Sequence, residues 1–515
     1  MIHKSPLPDV EIPDVYLTEH VLQHAGRLAD KAALIDGPTG RTLTYGQLAA
    51  GVAALAGGLK ARGFGAGDVL ALMSPNLPEY AVLFLGVARA GGAITTINPT
   101  YTAGEVNHQL KDSGATILVT IPLFLETAKE AIEGTSVTEV FLIGEADGVQ
   151  PLTALFGPPL TEQVEVGLDA VVVLPYSSGT TGLSKGVMLT HRNLVANIEQ
   201  TIRPAVIRED ETSIAVLPFF HIYGMQVLMN CGLTVGMTIV TMPRFDLEEF
   251  LRIHQDYGVT RSFVAPPIVV ALAKHPIVDK YDMSKLEQVF SGAAPLSADL
   301  AKEAGDRLDC EVVQGYGMTE LSPVSHLTPS GMFKPGSVGV TAPNTETMIV
   351  DPASGEPVGF DQDGEVWVRG PQVMKGYLNN EAATAATIDA ESWLHTGDIG
   401  HVDADGHLYV VDRLKELIKY KGFQVPPAEL EALLLTHPAI GDAAVIGLPD
   451  EEAGEVPVGY VVLKPGAEPS EEDIIEFVAG KVAHFKQLRR VTIVDAIPKS
   501  ASGKILRRVL KEQAT

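Results

Sequence analysis

Residues 176–186 read Y-S-S-G-T-T-G-L-S-K-G and follow directly on the apolar run 171–174. Glycine lets a backbone approach an anion closely and adopt positive φ, so that successive N–H groups point into one concavity. The hydroxyls of Ser177, Ser178, Thr180, Thr181 and Ser184 add donors, and Lys185 adds a full positive charge. This is the chemistry of a polyphosphate cradle. It is not a Walker A loop, because G-x-x-x-x-G-K-[ST] requires glycine at 184 and a hydroxyl residue at 186, where Ser184 and Gly186 stand. A Ser/Gly surface linker would share the composition. The position argues against one, since the stretch lies between an apolar strand and the start of a helix. Thr190 suits the cap of that helix, residues 191–202.

Apolar runs at 69–73, 117–119, 140–143, 171–174, 214–217, 238–241 and 262–264 read as buried strands. The intervening segments 48–62 and 80–89 carry apolar residues at helical spacing. Such alternation predicts layered α/β subdomains with largely parallel sheets. Beyond about residue 335 short strands with Gly and Asp turns take over, as at 365–369 and 408–411, and predict a small β-rich unit. Past 411 comes a compact βαβ-like unit: helix 428–435, strands 442–447 and 457–463, helix 471–482, strand 490–495.

At 515 residues the chain exceeds one hydrophobic core, which implies at least two domains. A net charge of −26 argues against nucleic acid or an anionic membrane as partner. Cys231 and Cys310 are the only cysteines and lack metal-site spacing, so a reducing cytosol is the expected setting. The opening residues carry no signal-peptide core, and the longest apolar run, 227–240, is too short to span a bilayer. His395, His401 and His407 fit no metal pattern and read as surface or turn residues.

Four further stretches follow in order: Q-G-Y-G-M-T-E at 314–320, W-L-H-T-G-D-I-G at 393–400, D-R-L-K-E-L-I-K-Y-K-G-F-Q-V at 412–425, and P-K-S-A-S-G-K-I-L-R-R at 498–508. Together with the loop at 176–186 they resemble the adenylate-forming superfamily of acyl- and aryl-CoA synthetases. The stretch 412–425 and the H-I-Y-G of 221–224 look most like 4-coumarate–CoA ligases and their bacterial relatives. The resemblance implies an N-terminal domain, residues 1–411, that binds ATP and acid. A hinge at 412–417 and a mobile C-terminal domain at 418–515 would follow.

It also implies residue roles. Ser177, Ser178, Gly179, Thr180, Thr181 and Lys185 match the phosphate loop. Thr319 matches an α-phosphate donor and Glu320 a Mg²⁺ ligand, a hard carboxylate suited to that ion. Gln314, Gly315 and Tyr316 match positions lining the adenylate; Asp398 and Arg413 match those holding the ribose hydroxyls. Lys504 matches the lysine that neutralises charge passing between carboxylate and α-phosphate. Lys419 and Gln424 match adenylate contacts, and Lys415 the hinge. Arg244, Lys421 and Gly422 match contacts to CoA.

For the acyl slot, His221 stands at the mouth. Tyr223, Val227, Gly292, Ala293, Gly315 and Leu327 line the wall, with Val227 and Leu327 making it more apolar than in several 4-coumarate ligases. The function implied is an ATP- and Mg²⁺-dependent acid–thiol ligase for an aryl, arylalkenoic or medium-chain acid, with CoA as acceptor, working as a monomer or homodimer. Transfer to a carrier-protein thiol or an amine competes with it. A catalytically silent nucleotide-binding protein does too, although Lys504 and Glu320 are both present.

Overall fold

A computed structural model describes residues 1–177, 184–421, 423–450, 452–500 and 503–514. Ser178, Gly179, Thr180, Thr181 and Gly422 lie outside these described residues.

Two large sheets dominate the N-terminal part. In the first, Val171–Ser177, Ala93–Ile97, Val69–Met73, Ile117–Thr120 and Glu139–Leu142 run parallel in that spatial order. In the second, Thr238–Thr241, Thr212–Ala215, Arg261–Val264, Gln288–Ser291 and Glu311–Gly317 run parallel, and Val324–Leu327 closes back antiparallel. Their Val- and Ile-rich runs are buried on both faces, as covered parallel sheets require.

The phosphate-loop stretch is flanked differently from expectation. Residues Lys185–Thr190 form a further strand, antiparallel to Val171–Ser177, with Lys185 opposite Ser177. Val187 and Leu189 are fully buried at alternate positions, the period of two that a strand shows. The helix starts where its cap predicts. The Thr190 side chain accepts from the N–H of Asn193, and Asn193 returns the bond, in helix His191–Ile202. That helix buries every residue except Arg192, so its side-chain amides need partners. Asn193 donates to the carbonyls of Pro371 and Val373, both at 2.9 Å, Asn197 to that of Val324 at 2.8 Å, and Gln200 to that of Pro343 at 2.8 Å. These bonds lock the phosphate-loop helix to the segments that lead into and out of the β-rich unit.

That unit is a five-stranded antiparallel sheet in which Ile2–Lys4 joins Glu346–Val350, Gly364–Arg369, Leu394–Val402 and Leu408–Arg413. The last strand runs two residues into the expected hinge, pairing Asp412 with Ile399 and Arg413 with Asp398. The apolar run at 227–240 is not one element: a π-helix, Tyr223–Asn230, leads into Cys231–Val235 before strand Thr238–Thr241.

Beyond residue 417 a separate core gathers Ile418, Leu430, Val445, Val461, Ile474 and Val491. Strands Ile440–Asp450 and Gly454–Leu463 make a hairpin, and Arg490–Ile493 adds parallel to the second after helix Glu471–Ala479. Two contacts fasten the segment around Lys415. The Asp412 carboxylate accepts the N–H of Ala428 in helix Pro427–Leu435 at 2.8 Å. Arg507 pairs with Glu416 at 2.5 Å and with both oxygens of Glu431 at 2.8 and 2.9 Å. No helix among the described residues is long and apolar enough to cross a membrane.

Candidate adenylation site

The carboxyl ends of the parallel strands converge on one cavity of about 480 Å³. This is where open α/β sheets place ligands, because the strand ends splay and the following loops are free to carry side chains. Thr96 and Ser177 reach it from the first sheet; Phe290, Gly292, Gly315 and Tyr316 reach it from the second. The β-rich unit adds Asp398 and Arg413, and the C-terminal part adds Lys504.

Glu320 anchors the floor. It is 5% exposed, and its Oε1 accepts from the Ser177 hydroxyl at 2.9 Å and from the Tyr377 phenol at 2.8 Å. Its Oε2 has no hydrogen-bond partner among the described residues. Lys185, across the strand pair from Ser177, sets its ammonium 4.1 Å over the Tyr377 ring. Thr319 stands beside Glu320 on the same wall.

On the opposite side Asp398 accepts from the Tyr316 hydroxyl at 2.5 Å and pairs with Arg413 Nε at 3.3 Å. Burial raises the Asp398 carboxyl above its usual range, against the pull of Arg413 and Tyr316. With both ring and carboxylate so placed, this wall can hold a nucleoside: the ring offers a face, the carboxylate accepts hydroxyl protons.

Lys504 enters between these walls. Its loop closes on itself, with the Lys504 N–H donating to Ser500 Oγ at 3.1 Å and the Ser500 N–H to the Lys504 carbonyl at 2.7 Å. Gly503 takes a φ of +83°, and a Cβ there would meet that of Ala265 at 3.3 Å, so the loop sits close against the N-terminal part. Burial lowers the Lys504 ammonium to about 8, with Arg413 adding to the effect and Glu416 and Asp398 opposing it. His221 is lowered to about 4 by burial and then by Lys504, so its imidazole is neutral at pH 7.

The remaining side of the cavity is lined largely by apolar groups. His221, Tyr223 and Val227 descend from the π-helix and its entry, facing Phe290, Gly292, Ala293 and Val324. Tyr223 spends its hydroxyl on the Phe290 carbonyl at 3.0 Å. A Cβ on Gly292 would fall 2.9 Å from the Tyr223 ring, so glycine is what lets the two walls approach.

Several expected residues lie elsewhere. Leu327 is fully buried and off the cavity; Val324 and His326, two apart on the same strand, line it, and alternation turns Leu327 to the other face. The Gln314 side chain accepts the Leu296 N–H at 3.2 Å and holds the neighbouring loop instead of lining the cavity. Lys419 and Gln424 face each other across a hairpin, exposed and away from the cavity. Arg244 and Lys421 are exposed outside it, whereas Lys415 lies on its wall. His395 is not a plain surface residue: it lines the cavity, stacked 3.7 Å from Trp367 and bonded to Asp389 at 3.1 Å. His407 is buried and bonds the Met332 carbonyl at 3.0 Å. The sequence does not mark Tyr377, Phe290 or Val324 as lining residues; each sits in an ordinary strand pattern, and only the fold brings it to the site.

Residues 21–378 match the family model described as AMP-binding enzyme, and residues 429–504 that of the AMP-binding enzyme C-terminal domain. The chain belongs to the AMP-binding enzyme family. It is 44% identical over 524 residues to 4-coumarate–CoA ligase 2 of Petroselinum crispum, covering 99% of this chain and 96% of that one. Among solved structures it is similar to the anthranilate CoA ligase AuaEII in complex with anthranoyl-AMP, at TM-score 0.91 and 26% identity, covering 98% of each chain. It is also similar to ATP-bound MatB from Rhodopseudomonas palustris, at TM-score 0.88 and 29% identity, covering 97% of this chain and 99% of that one.

The family implies magnesium, and the residues fit it. One buried carboxylate with an oxygen unpaired among the described residues suits an ion that takes one or two protein oxygens and completes its shell with water and phosphate.

Proposed function

We propose that this AMP-forming acyl-CoA ligase activates an aryl, arylalkenoic or medium-chain acid and passes the acyl group to CoA in the cytosol. The observation that carries the reading is the meeting of Lys504, from the far end of the chain, with Glu320, Asp398 and His221 around one cavity.

The chemistry follows from these positions. A carboxylate oxygen of the acid attacks the α-phosphorus of ATP and pyrophosphate leaves, giving a mixed anhydride. Thr319 and Lys504 address the charge on the α-phosphate, as preorganised donors do at a developing anion. Asp398 with Arg413 holds the ribose, and Lys185 with the hydroxyl residues of the phosphate loop is assigned to the polyphosphate. Magnesium, held by Glu320, would neutralise the triphosphate and the departing pyrophosphate. In the second half-reaction the thiol sulfur attacks the acyl carbon and AMP departs, which needs neither pyrophosphate nor Lys504. Arg244, Lys421 and Gly422 are proposed to meet CoA once the C-terminal part has turned about Lys415.

The acyl wall supports an apolar tail. Val227, Phe290 and Val324 offer no donor, and Tyr223 has already used its hydroxyl. Against these side chains an apolar ring or chain is favoured over one carrying a hydroxyl, whose polar partners in the cavity would be His221 and His326. The test is a panel of carboxylic acids assayed for AMP and pyrophosphate release, with and without CoA. Acid-dependent pyrophosphate release with no CoA-dependent thioester would turn the reading towards a carrier-protein or amine acceptor.

A further inference from the structure

We infer that Tyr377 is a positioning residue that aims the Glu320 carboxylate for the metal and couples it to the phosphate-loop lysine. The inference rests on the proposed metal role of Glu320 and goes beyond it by naming what sets that carboxylate's direction.

Tyr377 lies in the two-residue strand Gly376–Tyr377, which pairs with Lys185–Thr190 so that Tyr377 stands opposite Val187. It is 5% exposed, and its backbone N–H is held by the Thr384 hydroxyl at 2.9 Å. The ring therefore has a fixed base beside the strand that leaves the phosphate loop. Its two ends then do different things. The hydroxyl donates to Glu320 Oε1 at 2.8 Å, and the ring face carries the Lys185 ammonium at 4.1 Å.

The consequence for Glu320 is directional. Oε1 receives two donors, Tyr377 and Ser177, from strands of the same sheet. With that oxygen saturated, the carboxylate cannot rotate freely, and Oε2, without a partner among the described residues, is the oxygen turned to take a cation. A partner that orients a ligand carboxylate in this way tunes metal affinity by about 10- to 100-fold. The consequence for Lys185 is separate. A cation over a ring is held by the ring quadrupole and does not need the hydroxyl. One side chain thus carries two contacts that conservative substitutions can part.

Tyr377→Phe keeps the ring and removes the hydroxyl; Tyr377→Leu removes both. The measurements are the Mg²⁺ concentration giving half-maximal pyrophosphate release, and calorimetric titration of ATP with and without Mg²⁺. Melting temperature serves as a check on folding, and Glu320→Gln is run beside the tyrosine variants. For Tyr377→Phe the Mg²⁺ requirement should rise about tenfold, and ATP affinity should fall only when Mg²⁺ is present. For Tyr377→Leu, ATP affinity should fall in Mg²⁺-free buffer as well, through Lys185. If Glu320→Gln shifts the Mg²⁺ requirement and Tyr377→Phe does not, the positioning role is overturned. If neither shifts it, the metal role of Glu320 falls and this inference falls with it. Equal loss for Tyr377→Phe at every Mg²⁺ concentration also overturns it, since that is what plain loss of packing would give.

Discussion

Lys504 is the residue whose environment says most about its work. An ammonium lowered to about 8 still carries its charge at pH 7, but it sits close to the point where the charge is lost. The sign is therefore definite: the adenylation rate should fall as pH rises through about 8, where an ordinary lysine would hold its charge to beyond about 10. Lys504→Arg, which stays protonated, should lose that alkaline limb; a stopped-flow pH profile of pyrophosphate release decides it. Lys504→Ala should slow adenylation by roughly 10²–10³-fold, the usual consequence of losing one preorganised charge stabiliser. Thiol attack on supplied acyl-AMP should be affected far less, and equal loss in both half-reactions would remove the assignment.

Single residues are also where the sequence speaks least evenly. Glu320, Asp398 and Lys504 stand in long motifs and are legible. Tyr377 is not, because what makes it matter is a hydroxyl meeting a carboxylate 57 positions away. Leu327 is misplaced from sequence for a smaller reason, a strand register that one residue's shift inverts.

At the scale of elements, buried strands read well, since apolar runs bounded by turns leave few alternatives; 69–73 and 238–241 coincide with observed strands. The strand Lys185–Thr190 and the π-helix Tyr223–Asn230 do not. The first is an alternation hidden beneath a helix cap, and the second is an apolar stretch whose extra residue per turn leaves no periodic mark. That π-helix supplies the wall proposed for the acyl group, and at Gly224 it packs tightly against its surroundings. A Cβ there would lie 2.3 Å from the Pro218 carbonyl oxygen and 2.7 Å from that of Leu217. Both are backbone atoms, so the helix itself has to move. Gly224→Ala should destabilise the protein by about 1–3 kcal/mol and raise KM for the acid while leaving KM for ATP near wild type. Thermal melts and the two KM values check it, and an unchanged acid KM would show that the helix does not shape the slot.

For the whole molecule, the fastenings around Lys415 define how the proposed turn can happen. The Leu414 N–H donates to the Gly397 carbonyl at 2.8 Å, which ties Leu414 to the β-rich unit. Arg507 joins Glu416 to Glu431 beyond the hinge, so Glu416 travels with the C-terminal part. The bond from Ala428 to Asp412 crosses the hinge and has to break. Lys415 thus stands between a residue held on one side and a residue held on the other, and the dihedral change falls on it. Proline fixes φ, so Lys415→Pro should hold one orientation. Adenylation should then survive better than thioester formation, since ATP and acid bind before any turn is made. Single-turnover rates of the two half-reactions measure it, and wild-type values for both would mean that no turn occurs at this position.

The Arg507 clasp also wires the pivot to the reacting group. Arg507 lies three residues on from Lys504, and the same guanidinium grips Glu416 next to the pivot. If the C-terminal part turns about Lys415 as proposed, withdrawal of the ammonium and rotation of the chain would be one event, as the two ports of a valve share one spindle. On the roles proposed above, the charge that favours the mixed anhydride would leave as the C-terminal part turns to meet CoA, and each turnover would then run in one order.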